Sequence, residues 1–327
     1  MIDISTKTRL FAVLGHPITH SLSPQMQNAA LRKMGLDAVY LAFDVAPERL
    51  LESLKVMAEL GFAGVNLTVP LKEVAFRGLK NLDSSAKILG SVNTVRFLAN
   101  EVICDGKGGP AAPRAGISSL KSVATERDGH RITDPSCRMK GYSTDGPGFL
   151  LALKKVFRAS PKGKSVFLLG CGGAGRAVAL TCAQAGAAKI SLCDVDLIRA
   201  EKLRKNICAL NKKTAVEIVG SDRAERNDSA WNVDLIIQAS PVGMRRGDPV
   251  LLDPEAFRKG QMVYDLIYMF PETRLMRIAR KQGALAANGL DMLAFQGALS
   301  LEIWTGRKAP VEVMRKTLEK AVYGRRS

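Results

Sequence analysis

The chain has 327 residues, 46% of them hydrophobic, with 48 Lys and Arg against 31 Asp and Glu and a net charge of +17. That length and apolar content exclude a disordered chain and suffice for one large or two ordinary domains. No apolar run is long enough to span a bilayer and no secretory signal opens the chain, so a cytoplasmic location is expected.

In chain order, Arg9–Gly15 predicts a strand ending in the turn Gly15-His16-Pro17. In His20-Ser21-Leu22-Ser23-Pro24, Ser23 is placed to cap a helix with Pro24 as its first residue, and Gly35 stops it. Ser21 and Ser23 also offer two hydroxyls beside a helix N-terminus, a cradle suited to a carboxylate; capping and binding are equally compatible with the residues. Val39–Val45 alternates as a strand, Pro47–Leu60 reads as a helix, and Ala63–Leu67 is a strand running into Asn66-Leu67-Thr68-Val69-Pro70-Leu71-Lys72. Lys72 follows the carboxyl end of a strand, in a loop or at a helix start, where α/β proteins place their sites. Helix Ser84–Leu89 and strand Ser91–Phe97, with Asn93 and Thr94, complete a repeat.

Residues 100–140 are rich in Gly, Pro, Ser, Lys and Arg and read as a surface excursion. Order returns at Gly141-Tyr142-Ser143-Thr144-Asp145-Gly146-Pro147-Gly148, where Asp145 is placed to cap a helix running from Pro147 to Phe157. Lys164–Asp194 then gives strand Val166–Leu169, the glycine loop Gly170-Cys171-Gly172-Gly173-Ala174-Gly175, helix Arg176–Ala185, strand Ile190–Cys193 and the acid Asp194. This is the order of a dinucleotide-binding unit: Gly170 for the sharp turn, Gly172 for close approach to a pyrophosphate, Gly175 for close packing of helix on strand. Helix Leu197–Leu210, strands Val216–Val219 and Val233–Gln238, the loop Ala239-Ser240-Pro241-Val242-Gly243-Met244, strand Met262–Leu266, helix Glu272–Gln282 and strand Ala284–Ala287 follow. Asn288-Gly289-Leu290-Asp291-Met292 opens a long helix through Gln296 to Trp304, and Pro310–Tyr323 is the last helix. The fold class is α/β: an N-terminal α/β domain, a Rossmann-type dinucleotide-binding domain, a cleft between them, and C-terminal helices returning to the first.

The positive charge favours an anionic partner. The basic residues are dispersed and no nucleic-acid motif appears, so a small anionic substrate fits better and no nucleic acid is expected. Cys104, Cys137, Cys171, Cys182, Cys193 and Cys208 form no CxxC pair and read as reduced core residues. The histidines are His16, His20 and His130, and Pro17 disfavours a helical ligand pair between the first two, so no metal is expected.

Ser21-Leu22-Ser23, Asn66–Lys72, Ser91-Val92-Asn93-Thr94, Gly141–Gly148, Gly170–Arg176, Ser240–Met244 and Gly289-Leu290-Asp291-Met292 with Gln296 together resemble the shikimate dehydrogenase family, which includes quinate/shikimate dehydrogenases. The resemblance implies a substrate-binding and catalytic domain over residues 1–145 with the excursion at about 103–136, a cofactor domain over 146–288, and returning helices over 289–327. It implies Lys72 and Asp145 as the catalytic pair; Ser21 and Ser23 on the substrate carboxylate; Thr68, Asn93 and Gln296, with Asn66, on ring hydroxyls. It places Gly170, Gly172, Gly173, Ala174, Gly175, Asp194, Ser240, Val242, Gly243, Met244 and Gly289 at the cofactor. The reaction implied is reversible hydride transfer between shikimate and 3-dehydroshikimate, part of aromatic amino acid biosynthesis, with quinate as the alternative substrate. A monomer or homodimer would serve, and no membrane is involved.

Three departures stand out. The family's Asn-Thr-Asp is Ser143-Thr144-Asp145, the excursion interrupts the first domain, and the Asn-Arg-Thr common among NADP users is Asp194-Val195-Asp196. Without that arginine, and with an acid able to accept from ribose hydroxyls, NAD is expected over NADP, Arg199 being the residue that could serve a 2′-phosphate instead. From a different class, a non-catalytic dinucleotide-binding or nucleic-acid-binding protein on the same fold is a distant alternative, against which the Lys72–Asp145 pair speaks.

Overall fold

The architecture follows from two strands whose side chains are buried on both faces. In a computed structural model, which describes residues 4–98 and 138–324, β1 (Arg9–Gly15) sends Phe11 and Val13 to one core and Ala12 and Leu14 to another. In the same way β6 (Ser165–Leu169) sends Val166 and Leu168 one way and Phe167 and Leu169 the other. A continuous apolar run of this kind marks the centre of a sheet covered by helices on both sides.

Around β1 the first sheet has five strands, in the order β2 (Ala38–Asp44), β1, β3 (Phe62–Leu67), β4 (Thr94–Phe97), β5 (Met139–Tyr142). The first three are parallel; β4 and β5 run antiparallel to their neighbours. Helices α1 (Ser23–Lys33), α10 (Leu290–Thr305) and α11 (Val311–Tyr323) cover one face. On the other lie α2 (Leu50–Glu59), preceded by a 3-10 turn at Pro47–Arg49, and α3 (Leu71–Gly78) with α4 (Ser84–Leu89).

The second sheet is six-stranded and wholly parallel: β11 (Leu285–Asn288), β10 (Met262–Asp265), β9 (Leu235–Gln238), β6, β7 (Lys189–Cys193), β8 (Ala215–Ile218). Helices α5 (Asp145–Phe157), α6 (Gly173–Gln184) and α7 (Leu197–Leu210) pack on one face. The other is covered by α8 (Arg223–Trp231), the 3-10 turn Pro254–Ala256 and α9 (Arg274–Lys281). Strand order reverses between β6 and β9, and a ligand crevice opens at such a switch point. Here the glycine loop leaves β6 beside the Ser240–Met244 loop leaving β9, and Ala239 N donates to Leu169 O at 2.8 Å.

The excursion lies outside the described residues, together with Cys104, Cys137 and His130, but its ends are defined. Phe97 pairs with Met139, and Leu98 N donates to Arg138 O at 2.8 Å. The chain therefore leaves and returns at one hydrogen-bonded point. Among the described residues no helix is long and apolar enough to cross a membrane. Cys171, Cys182 and Cys193 are buried, Cys208 is half-buried, and all four are free thiols.

Several local expectations differ from the structure. Leu22, not Ser23, is the N-cap of α1, with no side-chain cap, and Ser23 is the first helical residue. Asp145 likewise is inside α5, with Thr144 at the N-cap, because its carboxylate is engaged elsewhere. The helix after the glycine loop begins at Gly173 rather than Arg176, so its N-terminal N–H groups belong to the loop itself.

Candidate active site

Lys72 is in the first turn of α3, directly after the β3 turn at Pro70. Asp145 opens α5, where the chain passes from the first sheet to the second. Gly148 lets α5 approach α10 closely: a Cβ there would lie 2.8 Å from Gln296 N. Lys72 and Asp145 form an ion pair, Lys72 Nζ to Asp145 Oδ2 at 2.7 Å, with side chains 29% and 11% exposed. Partial burial strengthens such a pair relative to a surface contact.

The second oxygen of Asp145 accepts from Asn93 Nδ2 at 2.9 Å. Asn93 is held in turn: its Oδ1 accepts from Thr144 N at 2.9 Å, and its Nδ2 lies 3.3 Å from Gln296 Oε1. Asn66 Nδ2 donates into the network formed by Asn93 O, Thr94 Oγ1 and Ser300 Oγ at 3.0, 3.1 and 2.9 Å, while Asn66 Oδ1 accepts from Tyr40 OH at 2.7 Å. Buried polar groups linked in this way fix one another's geometry.

A cleft of about 490 Å³ opens onto the ion pair. Ser21, Ser23, Asn66, Thr68, Lys72, Asp145 and Gln296 line it together. Asn93 is 2% exposed and sits one layer behind, reaching the cleft through Asp145 and Gln296. Asn66 faces the cleft, but its amide hydrogens already have protein acceptors. Ser21 Oγ accepts from Ser23 N at 3.3 Å, so the two serines form one turn.

Ala174, Met244 and Gly289 form the opposite wall. Gly170 has φ +97°, and a Cβ there would lie 2.7 Å from Ser240 N, so this turn requires glycine. A Cβ built on Gly172 or Gly173 meets nothing within 4 Å, leaving the start of α6 open to a phosphate. A Cβ on Gly175 would collide with Gly170 O. These residues fit a dinucleotide. Ser240 Oγ accepts from Val242 N at 3.3 Å, and Gly243 N donates to Asp248 at 2.8 Å, fixing the neighbouring loop. Asp194 is 8% exposed; Oδ2 accepts from Cys171 N at 2.6 Å and Oδ1 from Asp196 N at 2.8 Å. The acid thus holds the glycine loop in place, and Asp196 rather than Asp194 caps α7, accepting from Arg199 N at 3.0 Å.

A profile described as the shikimate dehydrogenase substrate binding domain matches residues 13–95, and one described as the shikimate 5'-dehydrogenase C-terminal domain matches residues 289–319. A curated shikimate dehydrogenase (NADP(+)) of Methanopyrus kandleri is 36% identical over 97% of each chain. The chain belongs to the shikimate dehydrogenase family. A second curated member named for NADP(+), from Moorella thermoacetica, is 38% identical over 98% of this chain and 96% of its own. The crystal structure of a family member from Listeria monocytogenes, a shikimate 5-dehydrogenase in complex with shikimate and NAD, is 29% identical, covers 96% of this chain and 98% of its own, and superposes with a TM-score of 0.80.

Two supporting residues escaped the sequence reading. Gln238, 3% exposed, ends β9 and donates to Val242 O at 2.6 Å while accepting from Ser240 N at 3.0 Å, which shapes the Ser240–Met244 loop. Tyr268 lines the same cleft as the serines, and burial raises its phenol pKa. The available signal for both was their position at the carboxyl end of a strand.

The turn carrying Tyr268 is held by Asp265, which is 1% exposed and accepts from Ile267 N at 3.1 Å and from Thr273 Oγ1 at 2.7 Å. Burial pushes its carboxyl up from 3.8 to about 6. The folded state then binds a proton more tightly than the unfolded one, so stability falls as pH rises from about 4 to about 6. Asp265→Asn keeps an acceptor for Ile267 and gives Thr273 a donor. Its melting temperature should exceed wild type above pH 6 and converge with it near pH 4, a difference of roughly 2–3 kcal/mol at neutral pH. A gap independent of pH in thermal melts would refute the assignment.

Proposed function

We propose that the protein catalyses reversible hydride transfer between shikimate and 3-dehydroshikimate with a nicotinamide cofactor. The observation that carries this reading is the Lys72–Asp145 pair at 2.7 Å, facing a cleft that Ala174 of the glycine loop also lines. Residues 1–145 would act as the substrate lobe, 146–288 as the cofactor lobe, and 289–327 as helices that complete the first.

The cofactor supplies or accepts the hydride; the chain's own residues handle the proton and the charge. Ser21 and Ser23, with Tyr268 on the same cleft, would hold the substrate carboxylate by hydroxyl donors. Thr68 and Gln296 would orient ring hydroxyls, and Asn93 and Asn66 would hold the first layer in shape. When the carbonyl carbon gains hydride its oxygen becomes an alkoxide. The Lys72 ammonium stabilises that charge and transfers a proton to the oxygen, then recovers one from solvent. Asp145 orients Lys72 through the 2.7 Å ion pair.

For the cofactor, the reading extends to NAD over NADP, although curated relatives are named for NADP(+). No arginine follows Asp194; Val195 is 90% exposed, and Asp196 lines the groove beside the glycine loop with Arg199 3.5 Å away. A 2′-phosphate would meet the Asp196 charge and an arginine already partnered. Initial rates with shikimate and both cofactors test this: kcat/KM should favour NAD by at least about tenfold, near 1.4 kcal/mol. Equal or better use of NADP would overturn the cofactor choice, and quinate turned over ahead of shikimate would overturn the substrate.

A further inference from the structure

Arg176 is the first residue after the glycine loop and lies in the first turn of α6. Its side chain is 18% exposed and reaches across to the first lobe. There Nη2 donates to Gly90 O at 2.8 Å and lies 3.3 Å from Glu73 Oε1. Both acceptors sit next to the chemistry. Glu73 follows Lys72 on α3, and Gly90 ends α4 and leads through Ser91 and Val92 to Asn93. The two segments are themselves joined, Val92 N donating to Lys72 O at 3.0 Å. One guanidinium nitrogen thus pins, from the loop that faces the dinucleotide, the two stretches that present Lys72 and Asn93.

We propose that Arg176 is a positioning residue for hydride transfer, an inference that rests on the dehydrogenase reading above. It sets the depth of the first lobe against the glycine loop, and so the distance between Lys72 and the reactive end of a cofactor whose phosphates that loop holds. A direct phosphate contact is the competing role. Against it, Nη2 already serves two protein acceptors and Nε is buried with no partner; because the side chain also borders the groove beside the glycine loop, the cofactor Kd is what separates the two roles. An ångström of misplacement at a reacting centre costs about 10²-fold in rate, so losing this pin should appear in the chemical step.

The test compares wild type with Arg176→Ala, Arg176→Lys and Glu73→Gln. Arg176→Ala should lower kcat for shikimate by roughly 30-fold. Kd for NADH and NADPH, read by fluorescence without substrate, should stay within about threefold, because no phosphate contact is lost. The deuterium isotope effect on kcat, measured with C4-deuterated reduced cofactor and 3-dehydroshikimate, should rise as hydride transfer becomes rate-limiting. Because a single nitrogen makes both contacts, Arg176→Lys should recover most of kcat, and Glu73→Gln, which keeps the Gly90 bond, should lose only about threefold. If Arg176→Ala does not fold, Arg176→Met, which keeps most of the side-chain volume but donates no hydrogen bond, replaces it: unchanged kcat and isotope effect in Arg176→Met overturns the proposal. So does a weakened cofactor Kd with kcat intact, which would assign Arg176 to the phosphates. A wild type inactive on shikimate sinks the dehydrogenase reading and this one with it; an active wild type with unaffected variants sinks this one alone.

Discussion

Lys72→Met should lower kcat for 3-dehydroshikimate reduction by about 10³-fold while leaving cofactor affinity within about threefold. Methionine preserves most of the side-chain volume and removes both the charge and the proton. Lys72 contributes to the cleft wall on the substrate side, whereas the dinucleotide's expected contacts are the glycine loop and the Ser240–Met244 loop, so binding and chemistry separate. The loss exceeds that of an ordinary hydrogen bond because Asp145 remains, 8% exposed, with its cationic partner gone, and the alkoxide would form beside an unbalanced carboxylate. A fall in kcat of less than about tenfold would mean that the proton comes from another group.

The second large effect concerns stability. Gly64 is buried on β3 opposite Phe11 of β1, two residues before Asn66. Trp304 lies flat over it, stacked on Phe11 with ring centroids 5.1 Å apart, and its indole nitrogen donates to Val95 O at 3.0 Å. A Cβ at position 64 would enter the indole ring. Gly64→Ala must therefore expel Trp304 from the sheet, adding overpacking strain of about 1–3 kcal/mol to an unpaired buried hydrogen bond of about 1–3 kcal/mol. The melting temperature should drop by about 10 °C. Activity should fall as well, since α10 carries Gln296 and Ser300 into the polar network. A melting shift under about 2 °C would show that the indole relocates freely.

The glycine unit was legible because each of its residues answers a local demand. Gly170 has a positive φ, Gly175 touches the backbone of Gly170, and the apolar strand before them is buried on both faces. The meeting of Lys72 with Asp145 was not legible from spacing and came only through family resemblance, because a contact between distant segments depends on sheet order. Two elements, α8 and β5, went unread for physical reasons, and α3 was left as one of two alternatives at Lys72. α8 buries Ala230 and otherwise shows polar residues, so its apolar stripe is too thin to detect, although Asp222 accepts from Ala224 N and Glu225 N as a cap would. α3 follows Pro70 closely and buries only Leu71 and Ala75. β5 is four residues long and owes its strand character to pairing with β4. The capping assignments of Ser23 and Asp145 failed alike: a short polar side chain at a helix start has partners besides the backbone, and Asp145 has Lys72 and Asn93.

Between Asn93 and Asp145 the strands β4 and β5 are zipped together, Thr94 against Tyr142 and Phe97 against Met139. Whatever sequence is threaded between Leu98 and Arg138 begins and ends at a closed clasp, so its length is invisible to the chemistry on the far side. The two ends of that segment are fixed to each other by backbone pairing, so the register that carries Asn93 to Asp145 is set by β4 and β5 themselves.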